Sequence, residues 1–146
     1  MPGFEMSIVI DRSIEDVFAV LSDLANDPKW RREWVDATKG SAATSGVGAT
    51  VVLVGQFLRW RIEAEYEVTE YEPNQLTAWK TLRGPLPLTF WRKVAQADDG
   101  TRVTIGYDMV LRGAGKLVGP LAKSMGKRAL AGDFPTLKEL MEARAL

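Results

Sequence analysis

The chain has 146 residues, enough for one domain with a single sizeable core. Nineteen basic residues balance nineteen acidic ones, so no global field recruits nucleic acid. With neither cysteine nor histidine, disulfides, thiolate nucleophiles, sulfur-ligated metals and any Ser-His-Asp triad are excluded, and general-base or transition-metal chemistry loses its usual ligand.

The start, Met1-Pro2-Gly3-Phe4-Glu5, has neither a basic nor an apolar leader, and no run approaches about 18 apolar residues, so a cytoplasmic protein is expected. Phe4 to Asp11, rich in Ile and Val, predicts a first strand. Ser13 followed by Glu15-Asp16 starts a helix, a hydroxyl cap with acids in the first turn. Val17, Phe18, Leu21 and Leu24 extend it over about three turns. Asp27-Pro28 predicts a second short helix, Lys29 to Trp34, with Trp30 and Trp34 on one side and Arg31, Arg32 and Glu33 facing elsewhere.

From Val35 to Leu111 the pattern is strands and turns. Gly46-Val47-Gly48 turns into a strand from Ala49 to Phe57. In Arg59 to Glu70, Trp60, Ile62, Ala64, Tyr66 and Val68 alternate with charged residues, a half-buried strand with one wet face. Glu72-Pro73-Asn74 turns the chain into Gln75–Arg83, and the loop around Gly84-Pro85 leads to Leu88–Ala97. Asp98-Asp99-Gly100 is a hairpin signal, and Arg102 to Leu111 again alternates. Short loops imply an antiparallel meander.

The last segment, Leu117 to Leu146, predicts a long helix interrupted by Gly132-Asp133-Phe134-Pro135. At about 100° per residue, Leu117, Val118, Leu121, Met125 and Ala129 share one face. Leu130, Phe134, Leu137, Leu140 and Met141 share another, turned by roughly a third of a revolution, so the helix bends, breaks or crosses a strongly curved surface. Pro135 supplies a local cause, and Gly126, Gly132, Ala122 and Ala129 leave room beneath the helix or allow close approach to the sheet. Leu137, Leu140 and Met141 take the anchoring role, and Leu121, Met125 and their small neighbours lie over that room. The fold class is α+β: a strongly curved antiparallel sheet of about seven strands around a long C-terminal helix, with two short helices after the first strand.

Several local matches, in this order and spacing, resemble the START-like, or SRPBCC, superfamily and its helix-grip fold across nearly the whole chain. They are Ser13-Ile14-Glu15-Asp16-Val17-Phe18 with the Trp30 region, the turn Gly46-Val47-Gly48, the turn Tyr71-Glu72-Pro73-Asn74-Gln75-Leu76, the hairpin Gly100-Thr101-Arg102-Val103-Thr104, and the close Leu137-Lys138-Glu139-Leu140-Met141-Glu142. The resemblance implies a cavity between sheet and C-terminal helix for hydrophobic or amphipathic molecules. Its members include polyketide cyclases, lipid and quinone carriers, hormone receptors and some ring-hydroxylating enzymes, so it defines the fold better than the function.

Within that frame the candidate ligand-binding residues are Trp30, Trp34, Trp60, Tyr66, Phe90, Arg92, Tyr107, Met109, Leu121 and Met125. Phe90 and Arg92 face inward if Val94 does, and a buried guanidinium needs a carboxylate, carbonyl or ligand partner. Arg92 is either an anchor for a ligand carbonyl, phenolate or carboxylate, or a strand-end arginine paired with a neighbouring strand. Tyr66 and Tyr107 either donate hydrogen bonds into the pocket or fill core. Trp60 and Trp79 carry the same ambiguity, the inward phase of Trp79 being contested by Leu76, Ala78 and Lys80. Trp30 and Trp34 either pin the short helix to the sheet or wall the entrance. Lys116, Lys123, Lys127 and Arg128 form a solvated helix face, the alternative being bilayer docking. Glu63, Glu65 and Glu67 lie on a wet strand face, and Gly113-Ala114-Gly115-Lys116 lacks the spacing of a phosphate loop, so no glycosidase dyad, metal or cofactor is expected. The first functional reading is a binder of a small hydrophobic or amphipathic ligand, working without a cofactor. The alternatives are a polyketide cyclase, aromatase or dehydratase, and a membrane- or protein-interaction module.

Overall fold

A computed structural model of the protein describes residues 3–40, 46–57, 59–109 and 119–146. Expectations that fall on Leu111, the glycine-lysine run 113–116, Leu117 and Val118 lie outside the described residues. The chain order is β1 (Gly3–Ile10), α1 (Ile14–Leu21), a 3-10 helix (Leu24–Lys29), β2 (Trp34–Lys39), β3 (Thr50–Phe57), β4 (Trp60–Glu72), β5 (Leu76–Arg83), β6 (Leu88–Ala97), β7 (Gly100–Met109) and α2 (Gly119–Glu142). The seven strands form one curled antiparallel sheet, ordered β1-β7-β6-β5-β4-β3-β2. The meander runs from β2 to β7, and β1 closes onto β7 with Phe4 opposite Tyr107 and Ile10 opposite Thr101. Register shifts at Trp34/Asp36 in β2 and at Glu65/Tyr66 and Val68/Glu70 between β4 and β5 add bends of the kind that increase local twist.

The helices after β1 differ from expectation in their limits. Ser13 Oγ accepts from the Asp16 amide at 3.2 Å, which starts α1 as the sequence predicts. The helix then stops at Leu21 after about two turns, because Asp23 takes an extended conformation and its carboxylate accepts from the Ala25 amide at 3.0 Å. That cap starts the 3-10 helix, which takes in Leu24 and Pro28. No helix spans Lys29 to Trp34. The Asp27 carbonyl receives the amides of Trp30 (3.0 Å) and Arg31 (2.7 Å) and closes the turn, and Trp34 opens β2. Trp30 and Trp34 therefore do not share a helix face.

Packing divides into two clusters. In the first, Ile10, Val103, Ile105 and Val94 from the sheet meet Val17, Phe18 and Leu21 of α1 and Leu130, Phe134, Leu137 and Met141 of α2. Leu140 packs at its edge, so the expected anchor of the last helix is present. The second contains Leu53, Ala64, Tyr66, Val68, Trp79 and Phe90 from the strands with Leu24. Trp79 is inside and Lys80 outside, where its ammonium lies 3.5 Å from Glu67.

The expected interruption at Gly132–Pro135 is absent: α2 is one helix of 24 residues with Pro135 inside it. Proline removes one main-chain hydrogen bond, but the buried run Leu130, Asp133, Phe134, Leu137 and Met141 holds the helix to the sheet on both sides of it. Gly132 makes no close approach, since a Cβ there would meet nothing within 4 Å. Gly126 does: a Cβ would stand 2.9 Å from the edge of the Phe4 ring, so a larger residue here would push that ring aside. Among the described residues, no helix is long and apolar enough to cross a membrane.

Candidate functional site

Between the N-terminal half of α2 and the concave face of the sheet lies a cavity of about 350 Å³. Its roof is Ala122, Met125, Gly126 and Ala129, and small residues here keep α2 from filling the space beneath it. Its floor is a cross-strand aromatic ladder. Register pairs Phe4 with Tyr107, Tyr107 with Phe90, and Phe90 with Trp79. The corresponding rings stack with centroids 5.3, 5.4 and 5.0 Å apart. Tyr66 meets Phe90 edge-on at 5.0 Å and Trp34 at 6.3 Å. Leu53, Ile62, Ala64, Leu88 and Met109 complete an apolar wall, with Pro85 and Leu86 from the β5–β6 loop.

One end of the cavity is polar, and there two arginines are buried. Arg92 is 1% exposed and forms a bidentate pair with Asp27, at 2.9 Å to Oδ1 and 2.6 Å to Oδ2; it also donates to the Leu21 carbonyl at 3.1 Å. Its guanidinium lies between the rings of Trp30 and Trp79, 5.3 and 5.4 Å from their centroids. Arg31, 4% exposed, donates from Nε to Asp133 Oδ2 (3.0 Å), from Nη1 to Tyr107 Oη (2.7 Å) and from Nη2 to Glu33 Oε1 (2.6 Å). Burial works against the charge of each arginine. For Arg31 the neighbouring Tyr107, Glu33, Asp27 and Asp133 more than offset it, as Asp27 does for Arg92, and both pKa values are raised. Both guanidiniums stay charged at any pH at which the protein is folded.

Tyr66 is pushed the same way, first by burial and then by Tyr107, Glu33 and Asp27, with Arg31 opposing, so its pKa rises above the ordinary 10.0. A raised folded-state pKa gives stability that is complete below about pH 10 and is lost as pH climbs through the folded value. Spectrophotometric titration is expected to show a tyrosine phase that stays protonated past the ordinary range, and Tyr66→Phe should remove it. A profile that Tyr66→Phe leaves unchanged in folded protein would refute this.

Of the residues named from sequence, Trp34, Tyr66, Phe90, Arg92, Tyr107, Met109 and Met125 line the cavity. Three do not. Trp30 is 1% exposed and fully committed to the core between the two guanidiniums. Trp60 has the inward phase but stands at the hairpin end of β4, 68% exposed. Leu121, in the first turn of α2, is 62% exposed and points away. Arg92 meets Asp27 of the 3-10 helix, not a glutamate of the next strand.

The sequence reading missed Asp27, Arg31, Glu33 and Asp133 as site residues. A signal for Asp133 existed: it interrupts the apolar stripe Leu130, Phe134, Leu137 at helical spacing, where a carboxylate calls for a buried cation. Arg31 had none, because its burial depends on the Asp27 turn that replaced the expected helix. A second, more open depression of about 370 Å³ lies on Glu72, Gln75, Lys93 and Arg102 and gathers no buried polar group.

A curled sheet gripping a helix over a mostly apolar cavity is the helix-grip fold of START-like proteins. The chain belongs to the polyketide cyclase / dehydrase and lipid transport family, whose model matches residues 1–142. Among solved structures it is similar to a protein from Thermus thermophilus (16% identity, TM-score 0.80, 99% of this chain and 100% of that one covered). It is similar to the Zhui aromatase/cyclase from a Streptomyces species (16%, TM-score 0.77, 99% and 95%). A START superfamily protein from Mycobacterium smegmatis also matches (14%, TM-score 0.74, 95% and 98%). At these identities the likeness is one of fold. No curated protein matches the sequence.

Proposed function

We propose that the protein binds one small hydrophobic or amphipathic molecule in the cavity beneath α2. The apolar body lies on the ladder of Phe4, Tyr107 and Phe90, and the polar end meets Arg31, Glu33 and Tyr107. The observation that carries this reading is the combination of an apolar space of about 350 Å³, within the roughly 300–1,000 Å³ of typical ligand sites, with polar groups converging at one end only. Native mass spectrometry of the purified protein, before and after exposure to a lipid and aromatic library, is expected to show a one-to-one adduct. Ala129→Phe places a ring in the space and is expected to lower uptake about tenfold or more without lowering the melting temperature. No adduct with any member would end the proposal.

A second reading is an aromatase/cyclase-type enzyme, and one contact favours it. The Tyr107 hydroxyl accepts from Arg31, which leaves its own proton to donate to a ligand carbonyl held on the ladder. Tyr107→Phe leaving turnover of a polyketide substrate intact would count against it.

A further inference from the structure

We propose that the cavity selects a ligand whose polar end is a hydroxyl and rejects the carboxylate of the same chain length. This deepens the ligand-binding reading and rests on it. Two guanidiniums are present at the polar end, but neither charge is free. Arg92 is matched by the bidentate Asp27, and Arg31 by Asp133 at 3.0 Å and Glu33 at 2.6 Å. Three carboxylates face two guanidiniums. Among the described residues, no other lysine or arginine lines the cavity. Arg32, 3.8 Å from Asp133, is 82% exposed and screened by solvent. A ligand carboxylate seated here would give up its water, gain no unmatched cation and sit beside the Glu33 carboxylate.

A hydroxyl meets the opposite situation. Glu33 and Tyr107 bind the two terminal nitrogens of one guanidinium, and both residues line the cavity. Glu33 has lone pairs left to accept a ligand O–H. Tyr107 has spent an acceptor position on Arg31 and keeps its proton to donate to the ligand oxygen. One alcohol or phenol oxygen satisfies both. An ester oxygen satisfies only Tyr107.

The test is equilibrium binding of decanol, methyl decanoate and decanoate to the full chain at neutral pH, followed by calorimetry or displacement of an environment-sensitive dye. Decanol is expected to bind about tenfold tighter than decanoate or better, with methyl decanoate between them. In Glu33→Gln, whose position is half-exposed and whose melting temperature checks the fold, that gap is expected to close, mainly by tighter decanoate. Decanoate binding as tightly as decanol overturns the selectivity and leaves the ligand-binding reading standing. An unchanged gap in Glu33→Gln overturns the assignment to Glu33. Failure of all three probes overturns the selectivity, and the library adducts decide the binding reading separately.

Discussion

Asp27→Ala is expected to cost about 3–5 kcal/mol of stability, because it leaves the Arg92 guanidinium buried with only the Leu21 carbonyl for a partner. For a domain of this size that is a fall of roughly 6–20 °C in melting temperature. The complementary experiment separates the net worth of the pair from the penalty of breaking it. With Asp27→Leu and Arg92→Met together, no charge is stranded, and the double variant is expected to melt near or above the parent. Asp27→Ala melting within a degree or two of the parent would mean that water reaches Arg92, contrary to its 1% exposure. The double variant falling as far as the single one would place the cost in the 3-10 turn instead of in the ion pair.

Leu137→Ala is expected to destabilise by about 2–5 kcal/mol, since its side chain is fully buried in the first cluster. Leu121→Ala, on the same helix, is expected to change stability by no more than about 0.5 kcal/mol. The pair divides α2 by role: the C-terminal half is held by core packing, and the N-terminal half spans a void. Chemical denaturation measures both. Equal losses at the two positions would show that Leu121 is packed, contrary to its 62% exposure.

The fold was readable because its signals are local and repeated. Trp60 to Val68 alternates over nine residues, Asp98-Asp99-Gly100 marks a two-residue hairpin, and Leu137, Leu140 and Met141 mark the helix face that docks. The long C-terminal helix followed from those patterns, as did the inward phase of Tyr66 and Tyr107, whereas the stacking of Phe4 on Tyr107 and of Trp79 on Phe90 did not. What could not be read was whatever depended on a turn or a distant partner. The Asp23 cap moved the helix boundary, and with it Trp30 went into the core and Arg31 to the polar end. Trp60 shows the limit of phase alone: alternation says which face a residue is on, not whether the sheet still has a helix above it at that height. Packing also overrode a local rule at Pro135, where the buried contacts of Phe134 and Leu137 keep the helix continuous.

Arg31 joins parts of the chain that are far apart in sequence. It reaches Tyr107 across 76 positions and Asp133 across 102. Closing loops of that length costs entropy that the short hairpin loops of the sheet do not. Through Asp133 the guanidinium ties α2 to the segment between the 3-10 helix and β2, and through Tyr107 it ties that same segment to β7. One side chain thus fastens the roof helix and the sheet to a single short stretch of chain.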